Sequence, residues 1–117
     1  MRNNNDGDEI QEPITKIDKL IHEPSRYMLM AYLYVVEVAD FLFLVRQTGM
    51  TWGNLSAHLG KLEAAGYVAI EKEFLGKKPH TTVRLTDEGR NAFEEYRGNM
   101  KRVLDNLPTK QTHHMPI

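Results

Sequence analysis

The 117-residue chain has 41% hydrophobic and 26% charged side chains, which suits one globular domain and excludes both a disordered polymer and a membrane protein. It has no cysteine, which excludes disulfides, thiolate metal sites, iron–sulfur clusters and a cysteine nucleophile. The net charge of −1 is unevenly spread: residues 1–25 carry three basic and six acidic side chains, net −3, while residues 26–117 carry twelve and ten, net +2, a split that permits nucleic-acid binding without demonstrating it.

Residues 1–12 read as a polar tail without the basic and apolar blocks of a signal peptide, so a cytoplasmic protein is expected. Pro13 opens a short helix with Ile14, Ile17, Leu20 and Ile21 on one face. Pro24 suits the first turn of a second helix to about Val36, apolar nearly all round and so expected at the centre of the core. A third helix is expected from about Val38 to Gln47, followed by Gly49 as a left-handed cap. The longest apolar stretch, Tyr27 to Val45, is broken by Glu37 and Asp40 and is no membrane span.

Thr51 is a good N-cap for a fourth helix over 51–65, with Leu55, Leu59 and Leu62 in one inward stripe and Gly66 at its end. The period then switches. Tyr67 to Leu75 reads as a strand, Gly76-Lys77-Lys78-Pro79 as a turn, and Thr81 to Leu85 as a return strand. Thr86 caps a last helix to about Leu107, with Asp87 and Glu88 in its first turn. Its apolar set, Phe93, Tyr96, Met100, Val103 and Leu107, follows the 3.5-residue period of a helix–helix seam. Residues 108–117 read as a second tail.

Helix–turn–helix followed by a basic hairpin is a winged-helix order, mainly α with a small β-hairpin, over residues 13–107. Three strings lie in this order: Gly53-Asn54-Leu55-Ser56-Ala57-His58-Leu59; Leu62-Glu63-Ala64-Ala65-Gly66-Tyr67-Val68; and Gly76-Lys77-Lys78-Pro79 with Thr81-Thr82-Val83-Arg84-Leu85-Thr86-Asp87-Glu88-Gly89-Arg90. On these strings, residues 14 to about 107 resemble the small winged-helix transcriptional regulators of bacteria and archaea, near the MarR and ArsR groups. The resemblance implies a dimeric DNA-binding regulator.

The side chains supply the chemistry for that role. Opposite the leucines the 51–65 helix presents Gly53, Ala57, Gly60 and Ala64, small enough to let it lie close to a groove floor. Asn54 and Lys61 flank that face; asparagine can pair with adenine, and lysine can reach guanine or a phosphate. Thr51 and Ser56 can give hydroxyls to phosphates. Trp52 fits either the core or the interface. His58 lies at the core boundary, where a hydrogen-bond partner is expected rather than a base. The wing, 67–86, holds Lys77, Lys78 and His80 at its tip, for the backbone or minor groove. Arg84 either meets phosphate or pairs with Glu71 or Glu73. The dimer interface is expected from Ile14, Ile17, Leu20 and Ile21 with the last-helix seam.

No phosphate loop, HExxH or Gly-x-Ser-x-Gly motif occurs, so neither an enzyme, a cofactor nor a metal site is expected. The expected partners are double-stranded DNA and a second copy. Met28, Met30, Tyr32 and Tyr34 could line a small-molecule effector pocket, and core packing accounts for them equally well. The rival reading is a winged helix used for protein–protein contact in a transcription or chromosome-associated assembly, because fold does not assign function.

Overall fold

The structure, a computed structural model, describes residues 16–108. Ile14 and the expected tails, Pro108 apart, lie outside them. The order is α1 (Pro24–Val36), β1 (Val38–Asp40), α2 (Phe41–Thr48), α3 (Trp52–Ala64), β2 (Val68–Leu75), β3 (Lys78–Leu85) and α4 (Asp87–Asp105). The sheet is antiparallel with order β1-β3-β2. A winged helix, α+β, is the fold.

Local chemistry sets most boundaries. Pro24 begins α1, and the Glu23 side chain accepts the Arg26 N–H at 2.9 Å. Gly49 closes α2 at φ +71°. Thr51 caps α3 by accepting from Asn54 N, and Thr86 caps α4 by accepting from Gly89 N at 2.9 Å. The hydroxyl of Thr86 also donates to Gly66 O at 2.5 Å, and its backbone N–H donates to Tyr67 O. One threonine thereby ties the end of α3, the foot of the wing and the start of α4 together.

The core is one cluster with Ile21, Leu29, Met30, Leu33, Leu44, Leu55, Leu59, Leu62 and Val83 fully buried. All three leucines of the α3 stripe are in it.

Several expectations are corrected. The described part of the expected first helix, from Lys16 on, is a series of turns. The Asp18 carboxylate accepts from Leu20 N and Ile21 N, the local bonding by which aspartate competes with a helix. Its other oxygen accepts from the Tyr67 hydroxyl at 2.6 Å; burial first, then this bond, pushes the Tyr67 phenol up to about 12. Residues 38–40 form a strand instead of starting a helix. Val38 and Ala39 pair with Arg84 and Val83, and Asp40 caps α2 by accepting from Phe43 N at 2.7 Å. α1 is not buried all round: Leu29, Met30 and Leu33 are, whereas Tyr27, Met28, Val35 and Val36 are exposed. The hairpin loop is only Gly76-Lys77, with Leu75 opposite Lys78 and a positive φ at Gly76, so Lys78, Pro79 and His80 belong to β3. The last helix stops at Asp105, leaving Leu107 beyond it.

Candidate nucleic-acid interface

α2, the turn at Gly49 and α3 make the helix-turn-helix. Burial of its three leucines fixes the rotation of α3, so Gly53, Ala57, Gly60 and Ala64 face outward. A Cβ built at Gly53 or Gly60 would meet nothing within 4 Å. The glycines there relieve no contact within the chain. They cost about 1 kcal/mol each in helix propensity. What they leave is a bare strip of backbone that a large flat partner can approach. Thr51, Asn54, Ser56 and Lys61 are exposed around it, and neither Asn54 nor Lys61 has a side-chain partner among the described residues.

The wing-facing flank of α3 adds Glu63, which the sequence did not single out, to Trp52, Ser56 and Gly60. Ser56, Gly60 and Glu63 form one wall of an open cleft of about 660 Å³, with Ile70, Lys72 and Thr81 of the sheet opposite. At its mouth Trp52, 55% exposed, stacks on Phe41 with ring centres 5.1 Å apart and planes 14° apart. Trp52 is therefore neither core nor free. The helical spacing of 52, 56 and 63 was a signal for this flank, but only the sheet's position shows what faces it.

His58 sits where its angle on the helix put it, half-buried at the core boundary. Its Nδ1 lies 3.2 Å from Arg26 Nη1 and 3.8 Å from Glu23 Oε1. The Arg26 Nε donates to Leu20 O at 2.6 Å, so this cluster fixes the back of α3 to the segment before α1. Burial opposes ionisation of Glu23, but the Arg26 backbone N–H and the charges of His58 and Arg26 outweigh it and hold the carboxyl below its usual value.

On the wing, Lys77 and Lys78 are exposed at the tip, without ion pairs among the described residues. His80 is not at the tip. It is half-buried in β3 between two carboxylates, Nε2 3.8 Å from Asp40 Oδ2 and Nδ1 3.8 Å from Glu73 Oε1. The expected four-residue turn placed it too far out. Arg84 is exposed at the foot of β3, opposite Ala69 and Val38, and pairs with neither Glu71 nor Glu73.

The expected dimer residues divide. Ile21, Phe93 and Tyr96 are buried in the chain's own core, and Ile17 and Leu20 pack against it. Phe93 meets Tyr34 and Tyr27 of α1 at ring distances of 5.3 and 5.9 Å, and the Tyr96 hydroxyl is 2.9 Å from His22 Nδ1. The first half of the seam thus packs within the chain. Met100 and Val103 are half-buried, while Leu107 and the unpredicted Leu104 are exposed. Tyr27, Met100 and Leu104 line a shallow apolar groove of about 320 Å³. Of the expected effector residues, Met30 is core, Met28 is exposed, and Tyr34 donates to Glu94 at 2.7 Å with the Arg90 guanidinium 4.9 Å over its ring.

Among the described residues no three His, Cys, Asp or Glu side chains are placed to hold a metal, and no helix is long and apolar enough to cross a membrane.

Known proteins place this geometry. An uncharacterized protein of Methanocaldococcus jannaschii, MJ0432, is 35% identical over 78 residues, 67% of this chain and 85% of that protein. A transcriptional regulator homologue from Pyrococcus horikoshii superposes with a TM-score of 0.74 at 29% identity, covering 83% of this chain and 95% of its own. YusO of Bacillus subtilis shares the fold, with a TM-score of 0.64 at 20% identity over 88% of this chain and 73% of its own. The expected likeness to small winged-helix transcriptional regulators is borne out. The winged helix DNA-binding domain family matches residues 25–104, and the chain belongs to that family.

Proposed function

We propose that the protein is a sequence-specific regulator of transcription that binds double-stranded DNA as a homodimer in the cytoplasm and carries out no catalytic step. Each protomer inserts α3 into a major groove and lays its wing along the neighbouring backbone or minor groove. Two-fold symmetry then calls for a pseudo-palindromic operator with half-sites about 34–36 Å apart. The observation that carries this reading is the bare strip at Gly53 and Gly60 beside two exposed polar side chains, Asn54 and Lys61, that have no partner among the described residues.

The test begins with selection of bound sequences from a random duplex pool. On the selected site, Asn54→Ala should cost about 1–3 kcal/mol and relax the preference at one base pair. Lys61→Ala should weaken binding too, and more evenly across sequences if it meets phosphate. Wild-type affinity in both folded variants would show that another face carries recognition.

A separate prediction concerns the wing. Lys77→Ala with Lys78→Ala should weaken specific and random duplexes alike. The slope of log affinity against log salt should become shallower by up to about 1.8 for two lost phosphate contacts. An unchanged slope would remove the wing tip from the interface. The protein-contact reading is favoured by Glu63 in the cleft, by Glu71 and Glu73 on the other face of the wing, and by the near-neutral net charge. A protein adaptor would bind no duplex at low salt.

A further inference from the structure

The wing tip carries two large apolar side chains in water. Phe74 is 72% exposed and Leu75 is 59% exposed. Leu75 pairs with Lys78, and Phe74 pairs with Pro79. Alternation assigns the two to opposite faces of the hairpin. Phe74 and Pro79 continue the row of Lys72, Ile70 and Thr81, the face that lines the cleft with α3. A phenyl ring is therefore held beyond the domain, on the side where α3 presents its bare strip. The loop behind it is only two residues long and holds Lys77, while Lys78 stands across from Leu75 on the other face of the hairpin. An apolar residue that finished the core would lie within it, as Val68 does on the same strand.

We propose that Phe74 is a wedge: it enters the minor groove, opens one base-pair step and bends the duplex, with Lys77 and Lys78 holding the phosphates on either side. This rests on the DNA-binding reading and adds an activity to it, deformation of the DNA. The charge complementarity of the two lysines selects nucleic acid as the occupant. The chemistry of the ring selects a step that unstacks easily, a pyrimidine–purine step such as TA or CA. Aromatic and aliphatic wedges of this kind kink DNA by about 20–90°. Sequence preference then arises at a position that no hydrogen bond reads.

The test uses the full chain and a duplex of about 20 base pairs, ~68 Å long. It has a central TA step with 2-aminopurine at the adenine and a dye at each end. Binding of the wild type should brighten the aminopurine and raise end-to-end energy transfer, with a weaker response when an A-tract replaces the TA step. Phe74→Ala should bind about tenfold more weakly, lose both signals and the TA preference, and keep the wild-type salt slope because no charge is lost. Phe74→Leu should restore part of each signal. Phe74 is exposed, so thermal unfolding of both variants should match the wild type.

A wild type that binds without either signal, or an alanine variant that bends the duplex equally, would overturn the wedge and leave the DNA-binding reading standing. A wild type that binds no duplex at low salt would remove both. A change in sedimentation of Phe74→Ala without DNA would assign the ring to contact between copies and also overturn the proposal.

Discussion

Gly89→Ala should destabilise the fold by about 3 kcal/mol, near the top of the usual range for overpacking. A Cβ at Gly89 would lie 1.9 Å from the carbonyl oxygen of Tyr67 and 2.7 Å from its carbonyl carbon. Those atoms are backbone, so no rotamer change relieves the clash. The same carbonyl accepts the Thr86 N–H at 3.0 Å, and the Thr86 hydroxyl binds both Gly66 O and Gly89 N. A methyl group must push α4 off the foot of the wing and break that junction. Against a typical total of about 5–15 kcal/mol the loss is severe. Urea unfolding would show it as a lower midpoint with an unchanged slope. Gly60→Ala is the contrast. Its Cβ meets nothing, so the variant gains helix propensity and should be as stable as the wild type or more so. A wild-type midpoint for Gly89→Ala would mean that the junction is loose.

The contrast between these glycines marks what could be read from the chain. Both stand in helices and look alike in sequence. Gly89 is small because Tyr67, 22 residues away, passes against it; Gly60 is small with nothing beside it. Sequence periodicity reaches only relations within one element. It therefore found the α3 stripe, the caps at Thr51 and Thr86 and the boundary place of His58, whose angle of about 60° from the leucines is an arithmetic fact of helices. β1 was not legible. Three residues between two apolar helices have no period, and their pairing partners, residues 82–84, lie more than 40 positions on.

The site was legible to the same extent. Asn54 and Lys61 flank the small face because rotation about α3 requires it, once the leucines are inside. Glu63 takes its meaning from the sheet across the cleft and Trp52 from Phe41 of α2, which no property of α3 reveals. His80 was displaced by a turn read as four residues where Gly76-Lys77 suffices. The even 3.5-residue spacing in α4 concealed a change of partner, since Phe93 and Tyr96 meet α1 and only the later residues face outward.

That change of partner sharpens the expected effect of charging the end of α4. Met100→Glu with Leu104→Glu should convert a dimer into a folded monomer and lower operator affinity by about 10²–10⁴, the avidity of a second half-site. Leu104 is 63% exposed, and Met100 is only half-buried beside Tyr27, so neither substitution removes a keystone of the protomer core. The strip they share with Tyr27 is apolar and open on one side. A second copy bringing the same strip covers it symmetrically, and a two-fold contact is the commonest closed solution. Four new carboxylates per dimer would meet there, each losing water without gaining a cation. Arg97 and Lys101 rim the same groove, but Lys101 is already paired with Asp105 at 2.8 Å and the Arg97 guanidinium lies 5.8 Å over the Tyr34 ring. Sedimentation at micromolar concentration reads the assembly, and circular dichroism reads the fold. A monomeric wild type would end the dimer reading and the palindromic operator with it. An unfolded double variant would instead place this end of α4 inside the protomer, as Phe93 and Tyr96 already are.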